Sequence, residues 1–116
     1  MKRYTTPILP IKIRMPFEEV QSIEFIFKKD LEDNSPVLLH KEYKTREEIP
    51  VEPSAVSTEF TVNMALEAEE TAKLMPGEVF MDTLIVLTGD YIPTTKIVKL
   101  IIDQSLFAGV KVNGSS

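Results

Sequence analysis

Apolar and polar residues alternate with a period of two in four stretches of the chain. Their apolar members are Leu9, Ile11 and Ile13; Ile23, Phe25 and Phe27; Phe60, Val62, Met64 and Leu66; and Val98, Leu100 and Ile102. This period places one apolar row on one face of a β-strand. Further strand candidates at residues 37–43, 49–52 and 78–88 bring the total to about seven.

About seven strands in a chain of 116 residues predict an all-β fold, an immunoglobulin-like antiparallel β-sandwich. We also expect one short helical turn over residues 67–74, because acidic residues favour the start of a helix and Pro76-Gly77 would end it. One sandwich domain is expected over residues 1–108. The small and polar residues 109–116 are expected to form a flexible tail.

The prolines support this assignment of strands. Six of the eight fall at or just beyond a predicted strand end, namely Pro16, Pro36, Pro50, Pro53, Pro76 and Pro93. Pro7 and Pro10 fall within the first strand, which we therefore place at a sheet edge with Ile8, Pro10 and Lys12 pointing outward. The same Pro7-Ile-Leu-Pro10 segment fits a PxxP ligand, although its Ile and Leu suit a strand better.

The segment Thr88-Gly89-Asp90-Tyr91 predicts a tight hairpin with a two-residue type II′ turn. Such a loop places one apolar set on the inner face, comprising Val79, Met81, Ile85, Leu87, Ile92, Val98 and Leu100. It places a second set on the outer face, comprising Phe80, Leu84, Val86, Ile97 and Lys99. A bulge at Pro93 would invert these assignments.

The predicted outer row is apolar, whereas a sandwich strand normally has polar residues outward. The candidate interface residues are Phe80, Leu84, Val86, Ile97 and Ile101. Two explanations stay open for this row. The loop at residues 33–36 or the tail could fold over the sheet, or the row could form a subunit interface, since contiguous exposed apolar surface often marks assembly.

Composition excludes several classes of function. The formal charge of −5 and a pI near 4.9 argue against nucleic-acid binding through phosphates and against an acidic membrane surface. There are no cysteines, which excludes disulfides and thiolate metal sites. Prolines interrupt the first ten residues before a signal peptide can form, and no stretch approaches the ~20 apolar residues of a spanning helix. Synthesis in a cytoplasm is the simplest expectation.

Residues that could perform chemistry are scarce. His40 is the only histidine, so a histidine metal cage or a serine triad would depend on one imidazole. Glu67, Glu69 and Glu70 could support acid–base work, but the start of a helical turn explains them better.

An oxygen-rich cluster occurs at Asp30, Glu32, Asp33 and Asn34. It lacks the twelve-residue loop, central glycine and terminal glutamate of a calcium-binding EF-hand. A hairpin loop is the better interpretation. We therefore predict no enzyme activity, no cofactor and no metal site.

The run Leu66-x-x-Glu69-Glu70-Thr71-x-x-Leu74-x-Pro76-Gly77-x-Val79-x-Met81-Asp82 resembles a corner motif of tail-associated proteins from phages and prophages of Gram-positive bacteria. It is most similar to the immunoglobulin-like amino-terminal domain of baseplate upper proteins. In that family an acidic-Thr-x-x-Leu-x-Pro-Gly turn leads into a strand and a hairpin. The similarity loosely includes residues 22–28 and 94–100.

This resemblance implies a non-enzymatic phage structural or accessory protein that docks to itself or to other phage structural proteins. A homo-oligomer is expected, made in the bacterial cytoplasm and carried into the tail or baseplate of the virion. Val79 and Met81 stand where the family usually has aromatic residues, and no receptor-binding region follows. An accessory or scaffold role is therefore expected rather than host attachment.

Two other functional classes remain open. The first is a ligand-binding module of the same fold, for example for cell-wall carbohydrate, that would use Tyr4, Tyr43 or Tyr91 on loops. The second is an enzyme that would use the Glu69 and Glu70 region.

Overall fold

The computed structural model describes residues 1–52 and 57–104. The strands are β1 (Ile8–Ile13), β2 (Val20–Lys28), β3 (Val37–Tyr43), β4 (Val51–Glu52), β5 (Phe60–Ala65), β6 (Gly77–Leu87) and β7 (Val98–Ile102). A short helix, α1 (Ala68–Thr71), lies between β5 and β6, and two 3₁₀ turns occupy Phe17–Glu19 and Arg46–Glu48. The flexible tail predicted for residues 109–116 lies outside the described residues.

The strands form two antiparallel sheets that pack face to face. One sheet has the order β1-β5-β4 and the other the order β3-β2-β6-β7. These orders correspond to the B-E-D and C′-C-F-G arrangements of an immunoglobulin sandwich. The prediction of an all-β sandwich with about seven strands and one short helical turn is confirmed.

The hydrophobic core lies between the inner faces of the two sheets. The period-two rows point into it, and the largest completely buried side chains include Phe25, Phe27, Ile23, Met64, Leu66, Leu74, Met81 and Ile85. In β2 the burial alternates strictly from Ile23 to Lys28. The alternation in the sequence therefore determines which side of each strand is buried.

β1 lies at the edge of its sheet, as the prolines predicted, and pairs only with β5 among the described strands. Ile8, Pro10 and Lys12 are exposed, whereas Ile13 is buried. Because β1 is an edge strand, one of its sides has no neighbouring strand among those described. The N–H that Pro10 lacks points to that side, so its absence costs no hydrogen bond within the sheet.

The corner between β5 and β6, residues 66–77, packs as the sequence predicted. Leu66 and Leu74 are buried, and the Thr71 hydroxyl is buried where it donates to the carbonyl of Thr5 at 2.9 Å and accepts from its N–H at 3.1 Å. Gly77 has φ +105°, and a Cβ there would lie 3.1 Å from Lys29 Nζ. Glycine is therefore required where the chain turns into β6.

The turn after β6 differs from the prediction. The N–H of Asp90 donates to the carbonyl of Leu87 at 3.0 Å, so Gly89, with φ +83°, stands at the second central position of the turn. A positive φ at that position suits a type II turn rather than type II′. The N–H of Leu87 donates to the carbonyl of Tyr91 at 2.8 Å, and residues 92–97 then run outside the ladder.

The register between β6 and β7 nevertheless agrees with the prediction. Phe80 lies opposite Lys99, and Met81 lies opposite Val98, so Pro93 does not invert the faces. Ile92, which was predicted to face inward, is instead 55% exposed. Pro93 has no N–H to donate, which is consistent with a ladder that begins only at Val98.

Candidate interaction surface on the four-stranded sheet

The outer face of the four-stranded sheet brings together the predicted interface residues. β2 and β6 pair so that Glu24 lies opposite Leu84 and Lys28 lies opposite Phe80, while Lys99 follows on β7. Residues two apart on one strand share a face. This face, called the outer face below, therefore contains Phe80, Leu84 and Val86 from β6 and Lys99 and Ile101 from β7, with Ile97 just before β7.

Much of this apolar row is exposed. Leu84, Ile97 and Ile101 are 43%, 52% and 53% exposed. Phe80 and Val86 are half-buried. These aliphatic side chains share the face with Asp82 on β6 and with the Lys99–Glu78 pair, which lie between them. Several large apolar side chains exposed on one sheet face mark a candidate contact site.

One residue of the outer face was missed by the sequence reasoning. Ile26 interrupts the alternation of β2 between Phe25 and Phe27, and it is half-buried on the outer face opposite Asp82. The signal was present, because an apolar residue between two inward-facing aromatics must point outward.

The loop after β2 covers only one end of the outer face. Lys28 Nζ donates to the carbonyl of Asp33 at 3.2 Å, and a cavity of about 130 Å³ lies between the loop residues Asp30, Leu31 and Asp33 and the face residues Ile26, Phe80 and Ile97. Farther along the face, Leu84 borders an open depression of about 250 Å³ with Glu24, Ile26 and Asp82. The loop therefore covers the outer face as far as Phe80 but leaves Leu84 open. The tail, which was the other expected cover, lies outside the described residues.

Charged residues both border and interrupt the apolar row. His40 lies on β3 opposite Ile26, and its ring Nε2 forms a hydrogen bond with the Glu24 carboxylate. Glu42 lies directly opposite Glu24. At the other end of the face, Lys99 Nζ lies 3.3 Å from Glu78 Oε2. These are exposed or half-exposed pairs of a solvated strand face, and among the described residues the His40 ring bonds to the Glu24 carboxylate.

Glu70 occupies a structural position at the start of α1. Its Oε1 accepts from the N–H of Glu67 at 2.8 Å, and Lys41 Nζ donates to both carboxylate oxygens at 2.9 and 3.0 Å. Partial burial alone would raise the pKa of Glu70, but the Glu67 N–H and the Lys41 ammonium lower it below its ordinary value. Burial, followed by the negative charge of Glu70, raises the pKa of Tyr43.

The oxygen-rich cluster at residues 30–34 makes local contacts. Asp30 Oδ1 accepts from the N–H of Glu32 at 3.1 Å, which is a local loop contact. Within residues 1–52 and 57–104, no group of three or more acidic or histidine side chains is placed to hold a metal ion. No helix there is long and apolar enough to cross a membrane.

The three tyrosines lie in different environments. The Arg3 guanidinium stacks over the Tyr4 ring at 5.2 Å. Tyr43 packs edge-on against Phe25 with the ring centroids 6.3 Å apart. Tyr91 is 64% exposed in the segment after the β6 turn. None of them lines the cavities on the outer face.

Comparison of the chain with models of known protein families, with curated proteins and with solved structures found no match.

Proposed function

We propose that this protein is a non-enzymatic structural or accessory component of a phage or prophage tail, which acts by docking to a second copy of itself or to other phage structural proteins. The outer face is the docking surface. The protein is made in the bacterial cytoplasm and becomes part of the virion at the tail or baseplate.

The exposed apolar row on the outer face carries this proposal. Burying Leu84, Ile97 and Ile101 against a partner would remove exposed aliphatic surface from water. Four strands spaced about 4.8 Å apart, with nine residues in β2, give a face of roughly 19 by 30 Å. Two such faces would bury roughly 1,100 Å², close to the lower limit of about 1,000 Å² for a specific interface.

Self-association is tested by light scattering and sedimentation of the full chain at micromolar concentration. We expect a homo-oligomer, and we expect Ile101→Lys to weaken its association at least about tenfold, because the added ammonium would have to be desolvated in the interface. Ile8→Lys is the matched control. Ile8 is an isoleucine exposed by 64% on β1 of the other sheet, so its replacement should leave association unchanged.

A strict monomer that tolerates charged residues at Phe80, Leu84 and Ile97 would contradict docking to a second copy. Equal effects of Ile101→Lys and Ile8→Lys would contradict the choice of surface. The tail role has a separate test in the neighbouring genes. Tail genes on either side would support it, and a metabolic operon would contradict it.

A carbohydrate-binding module is the alternative function. The exposed ring of Tyr91 favours it, because exposed aromatic rings in loops can stack on sugars and on other ligands. A glycan array would support this alternative if binding appears and is lost in Tyr91→Ala. Absence of glycan binding by the full chain would remove it.

A further inference from the structure

A second surface, separate from the outer face, lies between the edges of the two sheets. A groove of about 480 Å³ runs between residues 11–15, at the end of β1 and just after it, and residues 83–98 on the β6–β7 side. Ile11, Ile13, Ile85 and Val98 supply apolar side chains to it. We call this feature the β1 groove.

The groove exists because the β6–β7 ladder is short. β7 pairs with β6 only from Gly77 to Met81, although β6 continues to Leu87. Beyond Met81, the segment before β7 bonds to β6 at two points: the Thr95 hydroxyl donates to the carbonyl of Thr83 at 2.6 Å, and the N–H of Leu87 donates to the carbonyl of Tyr91 at 2.8 Å. The backbone of β6 near Ile85 therefore has no neighbouring strand on that side among the described residues.

The β1 groove also lies where an immunoglobulin sandwich normally has its first strand. That strand runs along strand B, and β1 occupies the B position here with its other side unpaired among the described strands. The amino-terminal residues instead run parallel to the end of β7, where the N–H of Asp103 donates to the carbonyl of Met1 at 2.6 Å and the N–H of Arg3 donates to the carbonyl of Asp103 at 3.3 Å. Residues 11–15 thus border an open space at the position of that first strand.

The backbone of β1 can pair with an incoming strand at this point. The N–H of Leu66 donates to the carbonyl of Pro7 at 3.0 Å, and backbone direction alternates along a strand, so Ile11 and Ile13 point their backbone groups toward β5. The N–H and C=O of Lys12 consequently point to the open edge. Pro10 has no N–H, which would limit pairing to the end of β1 that borders the groove.

The rim of the β1 groove is basic in a chain with a net charge of −5. Lys12, Arg14 and Lys96 border it. Lys12 forms an ion pair with Glu59 at 3.4 Å, whereas Arg14 and Lys96 have no ion-pair partner among the described residues. An occupant with acidic side chains would neutralise this rim.

We propose that the β1 groove binds an extended segment of another protein in which apolar and acidic residues alternate. The segment would add a strand to the edge of β1, with its apolar residues in the groove and its acidic residues at Arg14 and Lys96. Main-chain hydrogen bonds and alternate side-chain contacts are the basis of recognition by strand addition. This inference does not depend on the outer face or on the tail role.

The test uses the full chain and a fluorescent peptide that alternates valine and glutamate over about eight residues, enough for one strand. We expect a rise in fluorescence anisotropy on binding. We also expect the methyl NMR signals of Ile11, Ile85 and Val98 to shift, while those of Leu84 and Ile101 on the outer face stay unchanged. A Val–Lys peptide should not bind, because its lysines would be repelled by the basic rim of the β1 groove. A Val–Glu peptide with a central proline should not bind either, because proline lacks the backbone N–H needed for pairing with β1.

Charge-reversal variants of the protein distinguish peptide binding in the β1 groove from nonspecific electrostatic attraction. Arg14→Glu should weaken binding of the Val–Glu peptide at least about tenfold. Lys44→Glu makes an equivalent change at an exposed residue just after β3, so it should leave binding unchanged. Circular dichroism and thermal unfolding of both variants establish that the fold is retained.

Several results would overturn the proposal. These are no binding of the Val–Glu peptide at millimolar concentration, equal binding of the Val–Lys peptide or of a single-stranded oligonucleotide, or NMR shifts confined to the outer face. Loss of self-association in Arg14→Glu would assign the groove to a second copy instead. The outer-face variant Ile101→Lys should bind the peptide normally, so the two docking surfaces can fail independently.

Discussion

The outer faces of the two sheets differ in character although both sheets contribute to the same core. On the three-stranded sheet, the outward residues of β1 and β5 are Ile8, Pro10, Lys12, Thr61, Asn63 and Ala65, a mostly polar or small set. On the four-stranded sheet, the outer face has an apolar row with Leu84 and Ile101 exposed. Folding requires only one apolar face per sheet, so the second apolar row indicates a requirement other than the core.

Truncation of neighbouring residues on opposite faces of β2 measures how differently the two faces are buried. Phe25 is completely buried on the inner face, so Phe25→Ala should lower the free energy of unfolding by about 3–5 kcal/mol. Ile26→Ala, on the outer face, should lower the free energy of unfolding by a much smaller amount. Urea denaturation monitored by circular dichroism measures both, and equal losses would show that the two faces are buried alike in solution.

A smaller loss of stability is expected when the ion pair between Lys41 on β3 and Glu70 on α1 is removed. Glu70→Gln removes the charge that Lys41 and the Glu67 N–H stabilise, and we expect a loss of about 1 kcal/mol at neutral pH.

The Glu70 effect should depend on pH. The folded-state pKa of Glu70 is lowered, so its contribution is present above the unfolded-state pKa and is lost as the pH falls through the folded-state pKa. Unfolding free energies of the two proteins should therefore converge in acid. A difference that stays constant across the pH range would contradict the role of the ionised carboxylate.

The smallest change in the free energy of unfolding is expected for charged residues on the outer faces of the two sheets. Glu42 lies opposite Glu24 on the four-stranded sheet, and like charges in directly opposite positions are unfavourable. Glu42→Lys should raise the free energy of unfolding by about 0.2–1 kcal/mol. Glu52→Lys is the matched control on the other sheet, where Glu52 faces the neutral Thr61; its effect on denaturation should be smaller.

The sequence predicted the candidate surface better than it predicted the groove. Leu84, Ile97 and Lys99 could be assigned to one face because adjacent strands of a hairpin share a register. Ile26 was missed because the regular aromatic positions on either side of it dominated the pattern. The β1 groove combines residues from β1 and β6, which lie about 70 positions apart in the chain and belong to different sheets, so no local pattern could connect them.

The turn after β6 was also only partly predictable from the local sequence. Gly89 correctly marked a turn, but whether the chain resumes the ladder at once depends on the neighbours available to Ile92 and Pro93. Here one backbone bond, from Leu87 to Tyr91, follows the turn, and β7 pairs only as far as Met81. Between these points the Thr95 hydroxyl contacts β6. Turn chemistry is local, whereas the length of a ladder depends on the strands that surround it.

Local alternation of apolar and polar residues was sufficient to establish the strands, the buried side of each strand and the corner at residues 66–77, because side-chain direction in a strand follows directly from position. The order of strands in the two sheets, the exposure of Leu84 and the opening beside β1 were decided by tertiary packing. These features depend on which edges and faces meet across long stretches of chain, and the free energy of such contacts is not contained in any single segment.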